Sequence, residues 1–123
     1  MTNVESLKVL LIDNQPDRKE RIAVLKSQGF TVYPALDPLQ ARQRCKANRY
    51  DLVIVNAGGN PDVALEVCDQ IRSDNQKQPL IMITAPGQQL PDRDFVESSQ
   101  PETLLKRIRA MFDATLTGKA LAA

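Results

Sequence analysis

The sequence has no histidine and no tryptophan, and only two cysteines among its 123 residues. Without histidine there can be no Ser/His/Asp triad, no His-ligated zinc and no histidine phosphotransfer. Cys45 and Cys68 make neither a CxxC motif nor a disulfide framework. Both fall in segments that read as helices, where they are expected as small buried hydrophobes. An excess of charge of either sign is also missing: Lys+Arg number 16 against Asp+Glu 15, so nothing pulls the whole chain toward nucleic acid or an anionic membrane. No apolar run approaches the roughly 18 residues of a membrane span. Met1–Ser6 is short and polar, unlike a secretory signal. The chain therefore reads as a soluble, cytoplasmic, single domain over residues 1–112, with 113–123 a frayed helix end or the start of a linker.

Three short, uninterrupted, β-branched runs are present: Lys8–Ile12, Asp51–Val55 and Pro79–Thr84. Such runs belong to strands buried on both faces of a parallel sheet. Phe30–Tyr33 alternates like an edge strand, and Asp94–Glu97 is a weaker fifth candidate. Between them, prolines mark helix starts. Pro16, Pro38, Pro61 and Pro101 each stand where the first helical residue belongs, a position whose amide has no intrahelical partner. Asp37 and Asn60 precede two of them as N-caps. The first helix, about 16–28, ends at Gly29 as a left-handed cap. In the last helix Leu104, Ile108, Met111 and Phe112 form one apolar stripe, leaving Lys106, Arg107 and Arg109 on its solvated face. The order strand, helix, strand, helix, strand, helix, strand, strand, helix predicts an α/β layered fold with right-handed crossovers.

In an open parallel sheet, ligands sit at the carboxyl ends of the strands near a topological switch point. The residues just after the central strands are Asp13-Asn14, Asn56 followed by Ala57-Gly58-Gly59, and Thr84-Ala85. Gly58-Gly59 lacks a phosphate-loop pattern and reads as a turn.

The stretches KVLLIDNQPDRKERIAVLKSQGFTV, YDLVIVNAGG, ALEVCDQIR, PLIMITA, DFVE and ETLLKRIRAMF, in this order and spacing, resemble the receiver domains of bacterial two-component response regulators over roughly residues 7–112. The resemblance implies a doubly wound five-stranded parallel sheet of the flavodoxin-like kind. It also implies two acids after the first strand, a phosphoacceptor Asp ending the third, Thr or Ser after the fourth, Lys after the fifth, and a Mg²⁺ held by the acids. Carried over by position, Asp13 matches the first acid, but Asn14 stands for the second and Asn56 for the phosphoacceptor. Thr84 matches the hydroxyl, and Phe95 the aromatic coupled to it. The Lys position falls on Ser98, or on Glu97 under a one-residue shift, and neither is basic.

A carboxamide offers no charged oxygen to attack phosphorus. Mg²⁺ wants one or two carboxylates, so Mg²⁺ binding is not expected here. Three carboxylates within about 4 Å repel by several kcal/mol at an effective dielectric near 20, so reducing three to one relieves strain in the unliganded site. Asp13 is left with no evident acid–base partner, which argues against an enzyme. Only thirteen residues, 85–97, separate Thr84 from Ser98, with Pro86 and Pro91 among them, so the family's fourth helix is expected to be missing or shortened.

The leading expectation is a phosphorylation-independent pseudo-receiver in phosphorelay-type signalling, acting through contacts with a protein partner or a fused output or kinase domain. A homodimer is one form those contacts could take; direct nucleic-acid or membrane binding is not expected. Docking is expected beside the 85–93 segment and the last helix, not at the Asp13–Asn56 pocket. A receiver phosphorylated by an unconventional route, at Asp13 for example, and a small-ligand binder using the vacated pocket remain the alternatives.

Overall fold

The computed structural model describes residues 7–56, 61–83, 95–96 and 101–122, with the backbone alone for Pro61, Phe95, Val96, Pro101 and residues 113–122. The elements are β1 (Lys8–Ile12), α1 (Arg18–Ser27), β2 (Thr31–Ala35), α2 (Pro38–Ala47), β3 (Leu52–Asn56), α3 (Pro61–Asp74), β4 (Leu80–Ile83), β5 (Phe95–Val96) and α4 (Pro101–Ala122). The strands form one parallel sheet in the order β2-β1-β3-β4-β5, with β5 only a two-residue pairing beside Met82 and Ile83. The switch point therefore lies between β1 and β3.

Alternation along the central strands divides the core in two. Leu10, Ile12, Val53, Val55, Leu80 and Met82 pack with Ala41, Ala64, Val67, Cys68 and Ile71 of α2 and α3. Val9, Leu11, Leu52, Ile54, Ile81 and Ile83 pack with Leu25 of α1 and Leu104 and Ile108 of α4. Each central strand is apolar on both faces because helices cover both, as its unbroken hydrophobic run predicts.

Local signals account for two of the helix ends. Asp37 caps α2, its Oδ1 accepting the Gln40 N–H at 2.8 Å, with Pro38 at the first helical position. Gly29 has φ 92°; the Gly29 N–H reaches the Lys26 carbonyl and the Phe30 N–H the Leu25 carbonyl. That is the paired closure of a left-handed helix cap, with Phe30 and Leu25 in the same apolar cluster.

Two expectations need correction. Pro16 does not open α1: it lies in a turn closed by the Arg18 N–H on the Gln15 carbonyl at 3.1 Å, and the helix begins at Arg18. Asp17, the residue before the helix, makes no side-chain cap because its carboxylate is committed to Arg21. Cys45 is only partly buried, at the edge of the α2–α3 cluster, whereas Cys68 is inside it. The stretch expected to be a frayed helix end or the start of a linker continues α4, whose helical backbone runs to Ala122. The described residues contain four helices; the segment expected to have lost a helix lies outside them.

Candidate functional site

At the carboxyl ends of β1 and β3, Asp13, Asn14 and Asn56 line one cleft of about 210 Å³ with Ile12, Asp37, Val55 and Val63 among its other walls. The structure thus brings together three of the residues singled out in the sequence. Thr84, Ser98 and the side chain of Phe95 lie outside the described residues; of Phe95 only the backbone is placed, in β5 beside Met82.

Asp13 continues the β1 ladder by one step, its N–H bonding the Ala35 carbonyl at 3.0 Å. Strand alternation then sends it to the same face as Val9 and Leu11, the α1 side. A carboxylate buried there, 3 % exposed, must be neutralised or hydrogen-bonded. Both happen. Oδ1 accepts the Gln15 N–H at 2.9 Å, and Oδ2 accepts the Nε–H of Arg21 at 2.6 Å. Arg21 is itself 1 % exposed, and its Nη2 donates to Asp17 Oδ1 at 2.7 Å. Its Nη1 is buried without a partner.

Burial by itself would lower the Arg21 pKa, but hydrogen bonds and charge attraction to Asp13 and Asp17 outweigh it and hold the guanidinium more firmly protonated. Asp17 is pushed below the ordinary carboxylate value by the hydrogen bond from Arg21, against a smaller opposing effect of burial.

Arg21 is the residue that reading the sequence missed. Asp13 does have a partner, and the site does hold a cation, supplied from α1 rather than from a lysine after β5. The signal was present at helical spacing: Asp17, Arg21 and Leu25 recur every four residues, and Leu25 belongs to the inward stripe. An arginine in line with a core leucine faces the sheet, and what it meets there depends on strand parity.

The described donors do not suit a divalent metal. One carboxylate oxygen of Asp13 is held by the guanidinium and the other by a main-chain N–H; Asn14 and Asn56 are neutral amides, and Asp37 caps a helix. Among the described residues no group of three His, Cys, Asp or Glu could hold a metal ion. Of the exposed large hydrophobics among the described residues, Leu36 and Val63 line the cleft.

A larger open cleft, about 970 Å³, lies at the opposite end of the sheet between Lys8, Cys45, Lys46, Arg49, Asp51 and Asp74. Its Cys45 thiol is pushed up by burial and, less, by the Asp74 charge, so it is not an activated nucleophile.

No family model matches the chain. Solved structures do. A two-component response regulator from Clostridium difficile superposes with a TM-score of 0.73 at 18% identity, covering 88% of this chain and 97% of that one. Chemotaxis protein CheY4 of Vibrio cholerae gives 0.71 at 21%, over 85% and 98% of the two chains. Response regulator TrrA of Thermotoga maritima, solved with Mg²⁺ and BeF, gives 0.70 at 24%, over 81% and 93%. TrrA has also been solved in complex with histidine kinase ThkA, a match at 0.70 and 23% over 85% and 97%. No helix among the described residues is long and apolar enough to cross a membrane. The sheet order, its α/β layering and these superpositions agree: the chain has the flavodoxin-like fold of the response-regulator receiver domains.

Proposed function

We propose that this chain is a pseudo-receiver of two-component, phosphorelay-type signalling, working through contacts with other proteins and without being phosphorylated. The observation that carries the reading is Asn56: it ends β3 at the switch point, lining the cleft beside an Asp13 that is already paired with Arg21. A carboxamide there cannot act as a phosphoryl acceptor. Among the described residues of the cleft, Asp13 is tied to Arg21 and Asp37 caps α2, which supports reading the module as a binding partner rather than an enzyme. Its partners are proteins, a kinase or an output domain, as TrrA is bound by ThkA in the solved complex. The small-ligand alternative has less support, since a cleft of about 210 Å³ falls below the usual ~300–1,000 Å³ of small-molecule sites.

The test is intact-mass spectrometry after incubation with Mg²⁺ and a small phosphodonor such as acetyl phosphate. No gain of a phosphoryl group is expected. A stoichiometric aspartyl adduct, at Asp13 or elsewhere, would overturn the reading in favour of an unconventional receiver.

A further inference from the structure

A carboxylate as buried as Asp13 has three ways to be tolerated: it can take a proton, bind a metal, or face an organic cation. The structure uses the third. Arg21 is always charged, sits one turn into α1, and places Nε 2.6 Å from Asp13 Oδ2 with both side chains 1 % exposed. Nη2 turns to the half-exposed Asp17, and Nη1 is left buried and unbonded. Hydrogen bonding alone does not justify so incomplete a burial, because an orphaned N–H is costly. The feature it secures is a positive charge directly against Asp13.

We propose that Arg21 is a resident cation that takes the charge-neutralising place of a divalent metal at Asp13, and that it closes the site to divalent cations independently of the missing carboxylates. This rests on the phosphorylation-independent reading and deepens it. Loss of the acids at positions 14 and 56 removes metal ligands; Arg21 occupies an oxygen of the one ligand that remains. A metal ion approaching that oxygen would have to displace the guanidinium and leave it buried without its main counter-charge. Asp17 by itself, half-exposed to solvent, would not compensate.

The proposal separates two explanations for a metal-free site, and restoring the acids tells them apart. Asn14→Asp with Asn56→Asp supplies carboxylates while keeping Arg21; adding Arg21→Met removes the resident cation. Mg²⁺ binding is followed by titration calorimetry, and by the melting temperature at matched ionic strength. The native chain and the acid-restored chain are expected to show no saturable binding in the low-millimolar range. The chain that also carries Arg21→Met should bind at least tenfold more tightly than the acid-restored chain, with a melting temperature that climbs by several degrees as Mg²⁺ is added.

Equal Mg²⁺ affinity with and without Arg21 would overturn the proposal, as would no binding in either. Circular dichroism shows whether Arg21→Met folds. If it does not, Arg21→Gln in the same acid-restored chain keeps N–H donors without charge: Mg²⁺ binding there supports the charge argument, and its absence overturns it. The two readings fail separately. A phosphoryl adduct on the native chain removes phosphorylation independence. Tight Mg²⁺ binding by the acid-restored chain with Arg21 in place removes only the resident-cation proposal.

Discussion

The two faces of the sheet solve burial in opposite ways. On the α2–α3 face the core holds no buried charge among the described residues, its polar members being Tyr50 and a Gln78 that bonds the Tyr50 carbonyl, and two large hydrophobics, Leu36 and Val63, are left exposed along the cleft. On the α1–α4 face an equally apolar core is capped at the carboxyl end of β1 by an arginine and an aspartate, both sealed from solvent. One face leaves hydrophobic surface outside; the other takes charge inside. A buried ion pair seldom adds net stability over apolar residues of the same shape, because desolvation offsets the attraction. Among the described residues it is present on one face only, at the switch point, which ties it to the site rather than to the fold.

The sharpest break of this comparison is on the charged face. Arg21→Met should destabilise by about 3–5 kcal/mol in urea unfolding followed by circular dichroism, because it strands a buried carboxylate. Asp13→Asn combined with Arg21→Met should recover most of that loss. An additive double variant would mean that the two charges are not coupled.

On the apolar face the counterpart is Val67→Thr, which keeps shape but buries a hydroxyl within a cluster of aliphatic side chains. A loss of roughly 1–3 kcal/mol is expected in the same assay. A neutral result would place polar groups within reach of that cluster.

Smaller again is the solvent arm of the ion network. Asp17 has its folded-state pKa lowered by Arg21, so its contribution is present above the ordinary carboxylate value and is lost as pH falls through the lowered one. With a side chain 47 % exposed, the contribution should stay below about 1 kcal/mol. The stability gap between native and Asp17→Asn chains should therefore be visible at neutral pH and close on acidification below about pH 4. A gap that widened toward acid would reverse the assignment. The smallest effect belongs to the exposed surface of α2: Leu39→Asp should change stability by no more than about 0.5 kcal/mol. A larger loss would show that this leucine is covered in solution.

What could be read from the sequence was what each segment carries locally. Val53–Val55 and Leu80–Ile83 declare doubly covered strands by composition alone, and Asp37-Pro38 and Gly29 place helix ends through their own backbone chemistry. The α/β alternation then fixes where Asp13, Asn14 and Asn56 must meet. The Asp13–Arg21 pair was not legible in that way. It requires knowing that Asp13 extends the β1 ladder by one residue, so that its parity matches Val9 and Leu11, and that α1 begins two residues after Pro16, so that Arg21 falls in line with Leu25. Each is a register, and a shift of one residue in either would send a charge elsewhere. The nature of residues 113–122 stayed open between helix end and linker because they have no apolar periodicity, yet alanine, leucine and lysine are good helix formers and the backbone continues α4. The 85–93 segment beside which docking was expected lies outside the described residues, while two of the exposed apolar side chains that are described, Leu36 and Val63, line the cleft.

The most direct measurement is nuclear magnetic resonance of the Arg21 Nε–H and the Asn56 carboxamide during addition of Mg²⁺ with beryllium fluoride, a phosphoryl mimic. The account predicts an Arg21 Nε–H signal slow to exchange with solvent, as befits a sealed 2.6 Å bond to Asp13, and no saturable shift in either group. A saturable shift of both signals, with Arg21 Nε–H becoming freely exchangeable, would show that the site opens to metal and phosphoryl chemistry and would contradict it.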